Sequence, residues 1–386
     1  MPLRAGAPSP TGILRRGGVR AVNGAGGRPG KGTAGVDRSP FPEGGLRHDA
    51  LFYADDRDYR AAVEEFVEAG RAAGEPVLVA VPTDRLHLVQ PLLAPLDGVE
   101  LADMAVIGRN PAAIIATTLR GFVHRFPGRR VRVVGESLWP GRRPAAYRHC
   151  VEHEAIINLG LADQPLTMRC LFDRSRLPAG TLADVAGTHP WLVSGGVARP
   201  SAGYRSPRSV LRRLARPLPP PPGDALTEPV RPERLGSLRA AVAAVAEAAG
   251  LAAERVDDLR IAVTELASNA LTHGTGPAIA RCWAAAGDLV CEVSGPGELT
   301  DSLAGRIPPP ATAVRGRGLL LVHRLCDLVD VHVADGVTTV PAAPGAAGRP
   351  GAGAAVSPGR RPGRVRPPGP ALRRPGSARP PGRAAA

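Results

Sequence analysis

The sequence predicts an α/β protein of two folded domains: an N-terminal domain on a largely parallel sheet and a C-terminal two-layer α/β sandwich, with disordered basic tails. Three observations carry this. Apolar runs of strand length alternate with helix-period segments through residues 48–198. Two long helical patterns precede a set of strands in 224–340. Segments rich in Pro, Gly and Arg occupy 1–47, 199–223 and 341–386, and 47 Gly with 42 Pro make up about a quarter of the 386 residues.

In chain order, residues 1–47 carry eight basic and two acidic groups among glycines. They have no apolar run that could serve as a signal core, so a disordered basic segment is expected. Tyr59, Val63, Phe66, Val67 and Gly70 repeat with a helical period, and Val77 to Val81 reads as a buried strand. Pro111, Ile114, Ile115, Leu119 and Phe122 predict a helix, Val131 to Val134 a strand, Ala146 to Leu159 a helix, and Met168 to Phe172 a strand. This alternation implies parallel strands covered on both faces. Residues 199–223 hold six arginines, no acid and the run Pro219 to Pro222, which reads as a linker.

The C-terminal domain opens with a helix from Leu238 to Ala249, stopped by Gly250. A longer helix follows, with Val256, Leu259, Val263, Leu266 and Ala270 as its apolar stripe and Gly274 as its stop. Strands are expected at Ile279 to Ala284 and Leu289 to Ser294, then a helix from Leu319 to Asp327. A last strand is expected at Val329 to Val333 with Val337 to Val340. The tail 341–386, with nine arginines and almost no large apolar residue, cannot bury enough surface to offset its ordering entropy.

The net charge of +14 suggests nucleic acid, but its distribution argues otherwise. The excess sits in the three Pro/Gly-rich segments, leaving the two domains mildly acidic. A single lysine, Lys31, stands against 48 arginines, a compositional bias more than a phosphate-binding pattern. No direct nucleic-acid partner of the folded domains and no membrane segment is expected, and the protein reads as cytoplasmic. Cys150, Cys170, Cys282, Cys291 and Cys326 show no CxxC spacing, so neither a disulfide framework nor a structural zinc motif is legible.

The sharpest chemical pattern lies on the second long helix, where Glu265, Asn269 and His273 recur every four residues beside the apolar stripe. Ser294-Gly-Pro-Gly297 follows a strand, and Arg315-Gly-Arg-Gly318 precedes an apolar helix. Glycines before a helix let backbone N–H groups approach phosphates, helped by the positive end of the helix dipole. Asn269 suits a magnesium ion, and Glu265 suits the orientation or deprotonation of a nucleophile.

In this order the pieces resemble the N-box and glycine boxes of the GHKL (Bergerat) ATPase superfamily, which includes histidine kinases, Hsp90-like ATPases and anti-sigma switch kinases. Thr264 to His273 is similar to the N-box, Arg315 to Leu319 to the last glycine box, and Thr338-Thr339 to the terminal strand motif near adenine. Leu303-Ala-Gly-Arg306 and Gly318 to Asp327 look most like the anti-sigma regulatory branch. The first domain resembles the MEDS sensory domain through His48 to Tyr53, Gly108 to Pro111, Gly135-Glu136, His153-Glu154 with Asn158, and His189-Pro190.

The resemblance implies ATP and magnesium as cofactors, with Glu265 as base and Asn269 as metal ligand. His273, Gly295, Gly297, Gly316, Gly318 and Thr338 would border the nucleotide. It implies a regulator of transcription that senses a signal, sequesters a sigma factor and phosphorylates a STAS-type anti-anti-sigma partner on serine; a homodimer is compatible with it. One position departs: the aspartate that superfamily members place against the adenine amino group reads Val293 or Gly295, depending on alignment. Enzyme activity is therefore left open between a protein serine/threonine kinase and an interaction module without catalysis. A third reading, a sensor histidine kinase, would use His153-Glu154, but the proline that normally follows is absent. In the first domain, Glu136 and Asp173 fall at predicted strand ends, where open parallel sheets bind ligands, and capping a loop is the equal alternative.

Overall fold

The computed structural model describes residues 44–285, 288–301, 303–309, 312–313 and 316–343. The segments expected as disordered tails lie, at 1–43 and 344–386, outside the described residues, as does Arg315.

The first domain runs β1 (Arg47–Tyr53), α1 (Asp56–Ala72), β2 (Val77–Val81), α2 (Thr83–Leu93), β3 (Val99–Asp103), α3 (Met104–Ile107), α4 (Arg120–His124), β4 (Val131–Gly135), α5 (Tyr147–Gly160), β5 (Leu166–Asp173), α6 (Ala179–Thr188), β6 (Trp191–Ser194), β7 (Val197–Pro200) and α7 (Pro207–Leu214). Its sheet has the order β3-β2-β4-β5-β1-β6-β7, and every pairing is parallel except the edge hairpin β6-β7. Two apolar layers cover it. Tyr59, Val63, Phe66 and Val67 of α1 pack on one face, while Cys150, Ile156 and Ile157 of α5 pack on the other with Met168 and Cys170. The helix predicted from Pro111 to Phe122 is divided into a 3-10 turn, a π turn at Ile115–Leu119 and α4. Asn110 starts it by accepting the Ala112 N–H at 2.9 Å.

The stretch expected as a featureless linker at 199–223 contains α7. Ser206 caps it, and Val210 and Leu214 bury themselves in the first domain's core. Two apolar residues four positions apart suffice to dock a short helix despite the surrounding arginines.

The second domain runs β8 (Leu226–Val230), α8 (Leu235–Ala248), α9 (Ala253–His273), β9 (Ala278–Ala285), β10 (Asp288–Pro296), α10 (Gly318–Leu325), β11 (Leu328–Val329), β12 (His332–Ala334) and β13 (Val337–Ala343). Its sheet is antiparallel, in the order β11-β13-β10-β9-β8 with β12 on β13, and the helices form the second layer. The expected strand Val329 to Val333 is broken at Asp330, whose carboxylate turns to Arg148 and His149 of α5. The last strand continues three residues past Val340 because Ala342 is fully buried against Cys291. Asp335 and Gly336, both with positive φ, close the β12-β13 hairpin, as a two-residue primed turn requires.

Polar contacts join the domains. The Arg109 guanidinium lies 2.7 Å from the Asp327 carboxylate, and the Asn110 amide donates to the carbonyls of His323 and Cys326 at the end of α10. Those carbonyls have no partner within the helix, so Asn110 caps α10 from the other domain. Among the described residues, no helix is long and apolar enough to cross a membrane.

Candidate functional site

A cavity of about 560 Å³ opens in the second domain between the end of α9, the end of β10, the start of α10 and β13. Its volume falls in the range of small-molecule sites, roughly 300–1,000 Å³. Asn269 and His273 line it from α9, Gly295 and Gly297 from β10 and its turn, Gly316 and Gly318 from the start of α10, and Thr338 from β13. Those seven positions, spread over 70 residues of sequence, therefore border one space.

Glu265 stands one helical turn behind Asn269 and faces the start of α10. A Cβ added to Gly318 would come 2.5 Å from its Oε2 and 3.4 Å from Asn269 Oδ1. A side chain at 318 would push the Glu265 carboxylate aside, so glycine here keeps Glu265 and Asn269 together at the helix start. Gly297 has a different role. Its φ is 134°, a Cβ added to it would come 3.3 Å from the Gly274 Cα at the end of α9, and its N–H donates to Gly336 O at 2.8 Å. Thr338 Oγ1 donates to Gly297 O at 2.7 Å and accepts the Leu299 N–H at 3.1 Å, so this hydroxyl fixes the loop that leaves β10.

Gly295 and Val293 both border the cavity, and neither supplies a side-chain acceptor. The floor beneath them is apolar, formed with Leu266 and Val340. Leu299, Asp301 and the stretch from Leu303 to Pro309 provide one wall, and this wall is fastened to the first domain. Arg306 lies 2.6 Å from Glu152 of α5, and Ile307 fills the space where Gly160 lacks a side chain. Sequence reasoning missed this connection, since no local pattern pairs residues 152 and 306.

The start of α10 with Asn269 and Glu265 fits the phosphate and metal end of a magnesium nucleotide, because it brings a carboxylate, an amide and the side-chain-free backbone of Gly316 and Gly318 together at one end of the cavity. The other end is an apolar slot of Leu266, Val293 and Val340, and the carboxylates that border the cavity beyond it are Glu298 and Asp301, on the loop after β10.

In the first domain, Glu136 follows β4 and is fully buried, accepting from the Tyr53 hydroxyl at 2.9 Å. Burial pushes its carboxyl up to about 8, against the Tyr53 hydrogen bond and the Arg85 charge. Asp173 ends β5 and accepts from Ser175 and Arg176, which is the loop-capping arrangement. His153 is buried in α5 without a hydrogen-bond partner, and burial lowers its ring to about 4. A phospho-accepting histidine must reach solvent, so this residue is not placed for that chemistry.

The fold is that of two α/β domains, the first on a largely parallel sheet and the second on an antiparallel one. The chain carries a MEDS domain (MEthanogen/methylotroph, DcmR Sensory domain) over residues 47–190 and a histidine kinase-like ATPase domain over residues 229–342. Comparison with curated proteins returned no match. Among solved structures, the crystal structure of the RsbU and RsbW domains of Rv1364c from Mycobacterium tuberculosis matches at 17% identity and a TM-score of 0.25. The match covers 32% of this chain and 33% of that chain, about a third of its length.

Proposed function

We propose that the second domain binds Mg-ATP in the cavity between α9 and α10, and that the protein is an anti-sigma-type regulator of transcription whose ATPase domain answers to its sensory domain. The observation that carries the nucleotide reading is the packing of Gly318 against Glu265 and Asn269. Bound there, Mg-ATP supplies a transferable γ-phosphoryl group. Asn269 would hold the magnesium, the N–H groups at Gly316 and Gly318 would hold the phosphates, and Glu265 would take the proton from a serine of a STAS-type anti-anti-sigma partner. Phosphoryl transfer depends on positioning and charge stabilisation, which suits so sparse a set. The anti-sigma branch rests on the likeness of Leu303-Ala-Gly-Arg306 and Gly318 to Asp327 to that group.

Gly295 in place of a carboxylate favours a second reading, an interaction module that sequesters a sigma factor without catalysis. Titration of the full chain with a non-hydrolysable ATP analogue, with and without magnesium, separates the two. Magnesium-dependent binding and phosphoserine on a co-purifying partner support the kinase. No binding at millimolar nucleotide, with the protein folded, leaves the module. A pull-down that returns a receiver domain or nucleic acid in place of a sigma factor or STAS protein removes the anti-sigma reading.

A further inference from the structure

In the first domain, four side chains remote in sequence converge on one point. His48 of β1, Glu154 of α5, Cys170 of β5 and His189 after α6 are all at most 2% exposed, and one ligand atom from each lies within 4.8 Å of all the others. Nε2 of His48 and Nε2 of His189 are each 3.4 Å from Glu154 Oε2. The Cys170 sulfur is 3.5 Å from both His48 Nε2 and Glu154 Oε2.

Of these four spacings, the two His–Glu ones are long for N–H···O hydrogen bonds, whose usual range ends at about 3.2 Å. All four match the edges of a tetrahedron about a metal ion, roughly 3.3–3.7 Å for bonds of about 2.0 Å to nitrogen or oxygen and 2.3 Å to sulfur.

The surroundings fix the two rings as ligands. His189 Nδ1 lies 2.8 Å from the Val185 carbonyl, which can only accept, so Nδ1 carries the hydrogen and Nε2 presents a lone pair to the cluster. His189 Nε2 is buried with no hydrogen-bond partner. His48 Nδ1 lies 3.0 Å from Asn158 Oδ1, and the Asn158 amide nitrogen donates to the carbonyls of Thr188 and Glu154. Asn158 therefore faces His48 with its acceptor, and His48 Nε2 is likewise a lone pair. Ser137 donates to the other oxygen of Glu154. Such outer partners, one for each ring and one for the carboxylate, are what oriented metal ligands require.

We propose that His48, Glu154, Cys170 and His189 form a closed tetrahedral site for a zinc-class divalent cation. Two neutral imidazoles, one carboxylate and one thiolate cancel the charge of the ion, which suits a site sealed from water. On binding, the Cys170 thiol releases its proton to solvent and forms the metal–sulfur bond, with no change of oxidation state. Four protein ligands leave no open position, so the ion clips β1, α5, β5 and the end of α6 together and carries no hydrolytic chemistry.

The test is elemental analysis of the full chain, purified without chelators or metal-affinity resin, followed by chelation and titration with cobalt(II). About one zinc-class ion per chain is expected, and cobalt should restore an intense thiolate-to-cobalt charge-transfer band with tetrahedral visible bands. Cys170→Ser should abolish the charge-transfer band, while Cys282→Ser, in the other domain, should retain it. Should Cys170→Ser not fold, the wild-type cobalt spectrum and its loss in Glu154→Gln decide the matter. Folded protein with no stoichiometric metal and no cobalt band overturns the site. So does a band that survives in folded Cys170→Ser.

Discussion

Arg306 of the cavity wall and Glu152 of α5 stand 2.6 Å apart, both nearly buried, and this pair ties the candidate nucleotide cavity to the sensory domain. Arg148 also reaches Glu152, at 3.3 Å, and carries the contact on to Asp330. A displacement of α5 would therefore move the wall of the cavity. Arg306→Ala and Glu152→Gln should each lower ATP-analogue affinity about three- to tenfold and destabilise the fold by about 1–3 kcal/mol, the cost of leaving a buried polar group unmatched. The double variant should cost less than the sum of the singles. Unfolding and nucleotide titrations on all three variants measure this, and strict additivity would sink the coupling.

Asn269→Ala should abolish the magnesium-dependent part of nucleotide binding and leave the magnesium-free part within about twofold, because the side chain serves the metal end of the cavity alone. Glu265→Gln should bind nucleotide but yield no phosphoserine on a partner. Calorimetry reads the first and mass spectrometry the second. If Asn269→Ala binds Mg-ATP as the wild type does, the metal end has been misassigned.

The candidate cavity was legible because its polar residues come from motifs with strong local grammar. Glu265, Asn269 and His273 repeat at a helical interval, and glycines mark a close approach at 295 and positive φ angles at 297 and 316. The parallel direction of the first domain's sheet was legible from the alternation of strands and helices. What the sequence concealed is what long-range packing decides. The five-residue strands β3 and β8 carry acidic residues among their apolar ones, and α7 hides two buried residues among arginines. Arg109 and Asn110 look like a loop until the end of α10 arrives to be capped. The cluster at His48 and His189 is invisible to spacing rules, since its four members lie on four separate elements.

Glu136 gives a pH signature. Its carboxyl is raised from the ordinary 4.5 to about 8, chiefly by burial. Between those values the folded protein keeps a proton that the unfolded chain has released, so stability falls as pH rises through this window and levels off above it. The slope from this group is at most about 1.4 kcal/mol per pH unit. Glu136→Gln, which resembles the protonated acid, should flatten that part of the profile. Urea unfolding of both proteins at several pH values checks this, and identical slopes would show that the group is already ionised in the folded state.

The final prediction concerns the missing adenine acceptor. Gly295 lies at the end of β10, opposite Thr338, and borders the cavity, so an aspartate there would place a carboxylate beside the base. Its φ is not among the positive ones, so backbone strain does not reserve the position for glycine. Space does: an added Cβ would come 2.9 Å from the Ala278 Cβ, closer than real side chains pack. Gly295→Asp alone should therefore gain little, because the new side chain must push β9 away. Combined with Ala278→Gly, which empties the obstructing position, it should bind adenine nucleotides about ten- to a hundredfold more tightly, the worth of one charge-assisted hydrogen bond of about 1.5–3 kcal/mol. Guanine nucleotides should gain nothing, since guanine presents a carbonyl oxygen, an acceptor, where adenine presents its amino donor. Val293→Asp is the control, because it adds a carboxylate one residue pair back along the same face. If Gly295→Asp with Ala278→Gly folds and its adenine affinity stays at the wild-type level, the apolar slot does not hold the base, and the glycines serve only packing, Gly295 against β9 and Gly297 against the end of α9.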